Sequence, residues 1–379
     1  SAFGRVEEKA VAESAFLKAL AKATDKEVKA FFIHQLKLVA EDKSVEAVSD
    51  YLQDERLGAP AVQLIMTVAS PNAEKQLINA LTSAKGENQV AIVKGLGDLK
   101  SKTAYSTIAV LVGSSDSNLQ RVLLYAMANI ADPAAASALL SAAKEAGYNY
   151  EGTNAVGALT LYADRLGETG QDDLMKKVCK TIIKSSKTTA QLHNKATALS
   201  ILSKYFGHEV TAELLKSIDN PDKSFRNSIL KTAEKVGGVA DTKAWIKRSK
   251  KLSPTIQSDL LLMLGKRQDI SAIPYVKTSL NSGSAEVRKS SITAITELLG
   301  SDAVNILLTQ VQKTTSQDEL THLEKTLLTI SDDKHLAPFV SLFDNSSAST
   351  KVVAINVIAA KSGSQAFDKV FSYTNDNDA

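Results

Sequence analysis

The feature that most constrains this chain is an internal period of about 31 residues. Residues 25–41 read DKEVKAFFIHQLKLVAE, residues 116–132 read DSNLQRVLLYAMANIAD, and residues 253–269 read SPTIQSDLLLMLGKRQD. Aligned, they place apolar residues at places 4, 8 and 12 and often at 15. Val28, Leu119 and Ile256 stand at place 4, and Leu36, Met127 and Leu264 at place 12. That spacing is the stripe of an amphipathic helix. Each segment opens on a polar residue suited to an N-cap. Openers of this kind stand at Asp25, Asp54, Lys85, Asp116, Asp222, Ser253, Ser284, Ser316 and Ser347, in steps of 29, 31, 31, 106, 31, 31, 32 and 31 residues. Second amphipathic runs lie between them, at 71–84, 101–112, 133–146 and 302–313. Ser70-Pro71 and Asp132-Pro133 set a capping residue before a proline at the first helical position. Each unit is therefore expected to be a pair of helices.

Val, Ile and Thr fall at helical spacing, and the 18 Gly and 7 Pro of 379 residues are too few for a turn-rich β fold. A hydrophobic fraction of 44% is enough for a core and argues against disorder. Helix pairs repeated about 11 times bury their apolar faces on their neighbours. The expected fold is all-α, a right-handed α-solenoid of two-helix units forming a single array over residues 1–379. Within the pattern, Gly95-Leu96-Gly97 reads as a place of close helix packing. The stretch 57–73 is free of charge for 17 residues but interrupted by Pro60 and Pro71, and reads as a buried helix. It is too short for a membrane span, which needs roughly 20 apolar residues.

The period breaks once. Three units of 31 would take about 93 of the 106 residues between Asp116 and Asp222, which leaves about 13 extra. Turn positions place the excess in two longer central repeats at about 132–207, near 146–152 and near 185–190. Insertions in repeat arrays map to loops on one surface, often the binding surface. Tyr125, Tyr148, Tyr150 and Tyr162 gather here, and tyrosine supplies stiff contact area with a polar tip. With Arg165 and His193 they form the candidate binding set. A loop whose tyrosines prop a bend in the solenoid is the alternative reading. Place 10 of the first-type helices is the position that faces a groove if these helices line a concave surface. It holds His34, Gln63, Lys94, Tyr125, Lys231, Leu262, Thr293, Lys325 and Asn356. That mixed series suits a protein surface better than a polymer.

No catalytic constellation emerges. The five histidines, His34, His193, His208, His322 and His335, give one His-Glu pair, His208-Glu209, which is too few for a two-metal site. Neither metal nor cofactor is expected. Cys179 is the one cysteine, which excludes an internal disulfide; Met175, Ile182 and Ile183 at helical spacing make it a core residue. No Gly-x-Ser-x-Gly elbow or phosphate loop occurs. The densest basic run is Lys243, Lys247, Arg248, Lys250 and Lys251 around Trp245, but the net charge of the chain is only +3. Nucleic-acid binding is the weaker reading, with Trp245 expected to point inward.

Some of these residues resemble a family. Ala285-Glu286-Val287-Arg288, Gly95-Leu96-Gly97-Asp98-Leu99, Ala272-Ile273-Pro274-Tyr275-Val276 and Leu336-Ala337-Pro338-Phe339-Val340 are similar to the pattern of short HEAT-like repeats, as in phycobilisome lyases. The resemblance covers roughly residues 15–379. It implies the solenoid fold and is almost silent on function. The expected function is a non-enzymatic, monomeric interaction scaffold whose partner is a protein or an adjoining domain of the same polypeptide. The alternatives are the repeat region of an enzyme, either a chaperone-like lyase or the appendage of a bacterial sugar-processing hydrolase. Lysine outnumbers arginine by 37 to 8, which points to an AT-rich bacterial genome. The low cysteine count is compatible with the periplasm or cell envelope. The chain begins Ser1-Ala2-Phe3 without Met, and one more opener would fall at Asp378. A second-type helix over 365–373, with Phe367 and Phe371 on one face, would then lack a covering neighbour. The natural protein is accordingly expected to continue past Ala379.

Overall fold

The computed structural model describes residues 6–343, 346–362 and 371, and the regular elements among them are all helical. The helix expected over 365–373 lies, apart from residue 371, outside the described residues. Contacts divide the chain into two compact units, residues 1–201 and 202–379.

In the first unit the first-type helices are Lys26–Leu36, Gly58–Val68, Gly86–Asp98, Ser117–Ile130 and Ala155–Glu168. Each packs on the next in succession. The second-type helices Asp42–Ser49, Pro71–Leu81, Tyr105–Ala109, Ala136–Glu145 and Asp172–Ser185 alternate with them. In the second unit the same alternation runs through Lys223–Ala233, Pro254–Lys266, Ala285–Leu299, Gln317–Ile330 and Ala348–Ser362, again packed in series. Two-helix units stacked on their neighbours in this way make an α-solenoid.

The openers cap as their chemistry predicts. The side chains of Asp25, Asp116, Asp222, Ser284 and Ser316 accept hydrogen bonds from backbone N–H groups of the first turns of their helices. Ser347 accepts from the N–H of Thr350. Lys85 and Ser253 sit at N-caps without such a bond. Asp54 differs: it accepts from Arg56 and Leu57, and the helix begins four residues later at Gly58, with Pro60 tolerated in its first turn. The uncharged run 57–73 is correspondingly not one helix. It ends at Val68, Ala69 takes the left-handed conformation (φ 50°), and Ser70 caps the helix Pro71–Leu81.

Close packing is built from small residues. A side chain on Gly97 would lie 2.7 Å from the Cα of Ala126 on the next helix. Gly265 stands at the same place of its unit and meets Ala294 in the same way, at 2.9 Å. The glycines therefore let two backbones approach where a Cβ would not fit. Another stretch, 285–313, is apolar and long enough by composition to cross a membrane. It is broken at Gly300 (φ 56°) into the helices Ala285–Leu299 and Val304–Lys313, whose buried Ile292, Ile295, Leu307 and Val311 belong to the repeat core.

Cys179 and Trp245 are core residues, at 0% and 1% exposure. Burial pushes the Cys179 thiol up to about 12. Only the thiolate reacts, so Cys179 is expected to resist a maleimide or disulfide reagent in the folded protein and to react fully in denaturant. Modification at native conditions as fast as in denaturant would contradict this packing.

His322 in the second unit is half-buried, with its ring 3.2 Å from the hydroxyl of Thr293. Burial pulls it below the ordinary imidazole value of 6.5 and outweighs a hydrogen bond with the Lys289 backbone; the Lys289 charge adds to the lowering, and Asp318 and Glu319 oppose it. The neutral ring is the form the fold prefers. Above pH 6.5 the unfolded and folded rings are both neutral and this contribution is intact. As pH falls below that value the unfolded state takes up the proton first, so stability drops until the folded ring titrates too. The second unit is thus expected to lose stability between about pH 7 and 5, and His322→Gln to flatten that part of a urea-midpoint profile. An unchanged slope in the variant would remove His322 from the account.

Candidate protein-interaction groove

In the first unit an apolar groove of about 480 Å³ lies across three consecutive first-type helices. Val90 and Lys94 come from Gly86–Asp98, and Arg121, Val122 and Tyr125 from Ser117–Ile130. Gly157, Ala158 and Leu161 from Ala155–Glu168 form the far wall. On the first two helices the lining follows helical spacing. Val90 and Arg121 are at place 6 of their units, Lys94 and Tyr125 at place 10, one turn further. The third helix keeps another register. Its N-cap is Asn154, in the left-handed conformation (φ 52°), at the end of the loop 146–154. That shift brings Gly157 and Ala158 to the far wall, where a Cβ on Gly157 would lie 2.4 Å from the side chain of Asn154.

The loop is well anchored. Gly147 and Tyr148 both have positive φ, near 58° and 57°, and end the preceding helix with a bond from Tyr148 N–H to the Ala143 carbonyl. Gln191 donates to the Gly147 carbonyl at 2.8 Å, and Asn194 donates to the Tyr148 carbonyl at 3.0 Å. Burial would raise the carboxyl of Glu151, but bonds from the N–H of Ala155 and from Thr153 outweigh it and hold it below the usual carboxylate range.

Beside the groove runs a polar chain between helices. Lys94 pairs with Asp98 at 2.6 Å, and Tyr125 donates its hydroxyl to Asp98 at 2.6 Å. Asn129 donates to the Gly97 carbonyl at 2.9 Å and accepts from Arg165 at 2.7 Å. Arg165 pairs with Glu168, which also lies 3.5 Å from Lys100. Burial, reinforced by Asp98, pushes the Tyr125 phenol up to about 12, so it stays a donor at neutral pH.

Of the six expected binding residues, Tyr125 lines the groove and Arg165 belongs to the chain beside it. Tyr150 is 85% exposed in the loop, three residues before Thr153 at the groove edge. Tyr148 is half-buried, and His193 is exposed on the helix Leu192–Phe206. Tyr162 plays a different part. It is fully buried and donates to the carbonyl of Asp132 at 2.9 Å, so it ties two units together and offers a partner no surface. The sequence reading missed Arg121, Asn118, Asn154 and Gly157. Place 6 was legible, since it lies one turn before place 10 on the same face. The register of the third helix was not. The place-10 residues are exposed or half-buried in all nine units that carry them, and His34 and Gln63 line a smaller hollow with Phe31 and Arg56. At the basic run, Trp245 is buried and Arg248 is paired with Asp219. A nucleic-acid base would find no indole there to stack on.

A family model of HEAT repeats matches residues 74–160, the part of the chain that holds the first two walls of the groove and part of the third. No curated protein matches the sequence. Among solved structures the chain is similar to Kap121p bound to Nup53p, at 11% identity and a TM-score of 0.54, over 98% of this chain and 47% of that one. The karyopherin Kap121p bound to the SUMO protease Ulp1p gives 10% identity and 0.54, with the same coverage. Kap95p in complex with RanGDP gives 11% and 0.50, over 97% of this chain and 56% of that one. The chain thus spans about half the length of these karyopherins. The class defined by the fold is the α-solenoid of helical repeats, with residues 74–160 matching the HEAT type. The findings support a HEAT-repeat family, and neither the lyase type nor the hydrolase appendage gains support from them.

Proposed function

We propose that this chain is a non-enzymatic, protein-binding scaffold whose recognition surface is the first-type face where the regular repeats meet the first of the two longer central ones. The observation that carries the reading is the apolar groove at Tyr125, open on a face shared by three consecutive helices and bordered by an exposed, aromatic loop. Apolar surface left open within a folded repeat, rimmed by polar groups, is what a partner covers. The likeness to karyopherins shows fold alone, but their solved complexes with proteins agree with this use. The partner is a protein or an adjoining domain of the same polypeptide, held by a single solenoid array acting as a monomer. It meets Tyr125 in the groove and Tyr148 and Tyr150 on the loop, with Arg165 beside the groove and His193 exposed on the helix Leu192–Phe206. Tyr162 acts only as support.

The test uses a displayed library of protein domains and fragments, selected on the full chain. Tyr148→Ala combined with Tyr150→Ala is expected to weaken the selected binders by about tenfold or more, because aromatic anchors dominate such contacts. The melting temperature should change little, Tyr150 being solvent-exposed. A lower melting temperature with unchanged binding would make the tyrosines props of the loop and overturn the assignment.

A further inference from the structure

The groove has a chemistry as well as a shape. Its floor is aliphatic, from Val90, Val122, Ala158 and Leu161, with Gly157 leaving the far side low. The middle helix Ser117–Ile130 carries one charged residue, Arg121. Arg121 is exposed at the rim, and among the described residues its guanidinium is bonded only to the side-chain oxygen of Asn118, at 2.7 Å. No carboxylate among the described residues lies within ion-pair distance of it. The other cations of the face, Lys94, Lys100 and Arg165, share two acids, Asp98 and Glu168. Those three are paired, whereas Arg121, beside the apolar floor, has no ion-pair partner among the described residues. The side-chain amide of Asn154, at the opposite edge, is exposed and makes no hydrogen bond of its own to the described residues.

We infer that the groove takes a linear acidic segment of a protein, with one aliphatic side chain seated on the Val90–Val122–Leu161 floor and an Asp or Glu carboxylate beside it paired with Arg121. This rests on the reading of the groove as a protein-binding face and adds the partner's chemistry to it. An aliphatic group gains from burial on such a floor roughly in proportion to area. A carboxylate matches the planar fork of a guanidinium in two parallel hydrogen bonds. The free amide of Asn154 can meet the backbone of an extended chain, which has a donor and an acceptor at every residue. A basic segment would leave Arg121 facing like charge, which works against binding. A nucleic-acid strand would need a row of cations, and the described residues of this floor offer one free cation among aliphatic groups.

The probe is a phage-displayed library of random 12-residue peptides, selected on the full chain and then synthesised. Selected peptides are expected to carry Leu, Ile, Val or Met within two residues of Asp or Glu. Arg121→Glu, a surface change, is expected to weaken them by about tenfold or more by reversing the facing charge, and Asp→Asn or Glu→Gln in the peptide should weaken binding to the unaltered chain. Gly157→Leu, which crowds the far wall and displaces the Asn154 side chain, should abolish it, while near-equal melting temperatures of both variants show that the fold is kept. Peptides lost on Gly157→Leu but indifferent to Arg121→Glu would overturn the acidic-segment inference and leave the groove as a protein-binding site. Peptides indifferent to both would overturn the groove as well. Enrichment of basic peptides, or selection without the aliphatic–acidic pairing, would also overturn the inference.

Discussion

Replacing Leu264 by Asp is expected to lower the melting temperature of the second unit by about 10 °C or more. Leu264 stands at place 12 of its helix and is fully buried. Its helix, Pro254–Lys266, packs on the first-type helices before and after it and on Val239–Ser249. Removing the side chain alone would cost about 2–5 kcal/mol. A carboxylate in its place must also be desolvated without a built partner, which costs more. In a stacked array such a loss falls on one unit and its two interfaces, so it approaches the net stability of that region. Trp245, the one tryptophan, is 1% exposed on Val239–Ser249, and its fluorescence reads the unfolding. Leu262→Asp, two residues away at place 10 and half-buried, is expected to be tolerated with only a small shift. A melting temperature within a degree or so of the unaltered protein for Leu264→Asp, or equal effects at 262 and 264, would mean that the helix presents another face to the core.

That contrast between places 10 and 12 also shows what was legible beforehand. The helix pairs, their openers and the close approach at Gly97 follow from local rules: an apolar stripe, an oxygen that can cap, and a glycine where backbones meet. Such rules act within one turn of helix and leave a mark in every repeat. The groove depends on a mismatch between repeats, and a mismatch has no pattern. Its third wall is set by where the loop 146–154 delivers the chain, through two consecutive residues at positive φ and bonds from Gln191 and Asn194 more than 40 positions away. Nothing in the local sequence announces Gly157 as the residue that keeps the groove open. Tyr162 shows the reverse error. By residue type it belonged with the other tyrosines, yet place in the helix turned it inward, where its hydroxyl found the Asp132 carbonyl. Residue type suggested recognition, and register decided which tyrosines could take part.

The Arg288–Glu319 pair carries the second large effect, and it lies in a motif that sequence alone made visible. Arg288 closes the Ala285-Glu286-Val287-Arg288 stretch. Its Nη1 donates to the carbonyls of Ser282 and Gly283, at 2.8 and 3.3 Å, which have no helical partner. Its Nε and Nη2 reach Glu319 on the next first-type helix, at 3.0 and 2.7 Å. Arg226 repeats the arrangement two units earlier, holding the carbonyls of Asn220 and Pro221 and reaching Asp259 at 3.4 Å. The motif therefore serves twice, as a cap on the preceding turn and as a tie to the next unit. Glu319 is only 1% exposed, and Arg288 is the cation paired with it. Removing one member of a buried pair costs about 3–5 kcal/mol, because the other is left desolvated and unpaired. Arg288→Ala is therefore expected to destabilise the second unit by that amount in urea unfolding followed by Trp245 fluorescence. Glu319→Gln should cost less, since a neutral amide leaves no buried charge behind. Combining Arg288→Leu with Glu319→Leu should recover much of the loss, as apolar replacement of a buried pair often does. The freed carbonyls of Ser282 and Gly283 keep that recovery from being complete. If Arg288→Ala unfolded at nearly the same urea concentration as the unaltered chain, the tie between these units would rest on apolar contact alone.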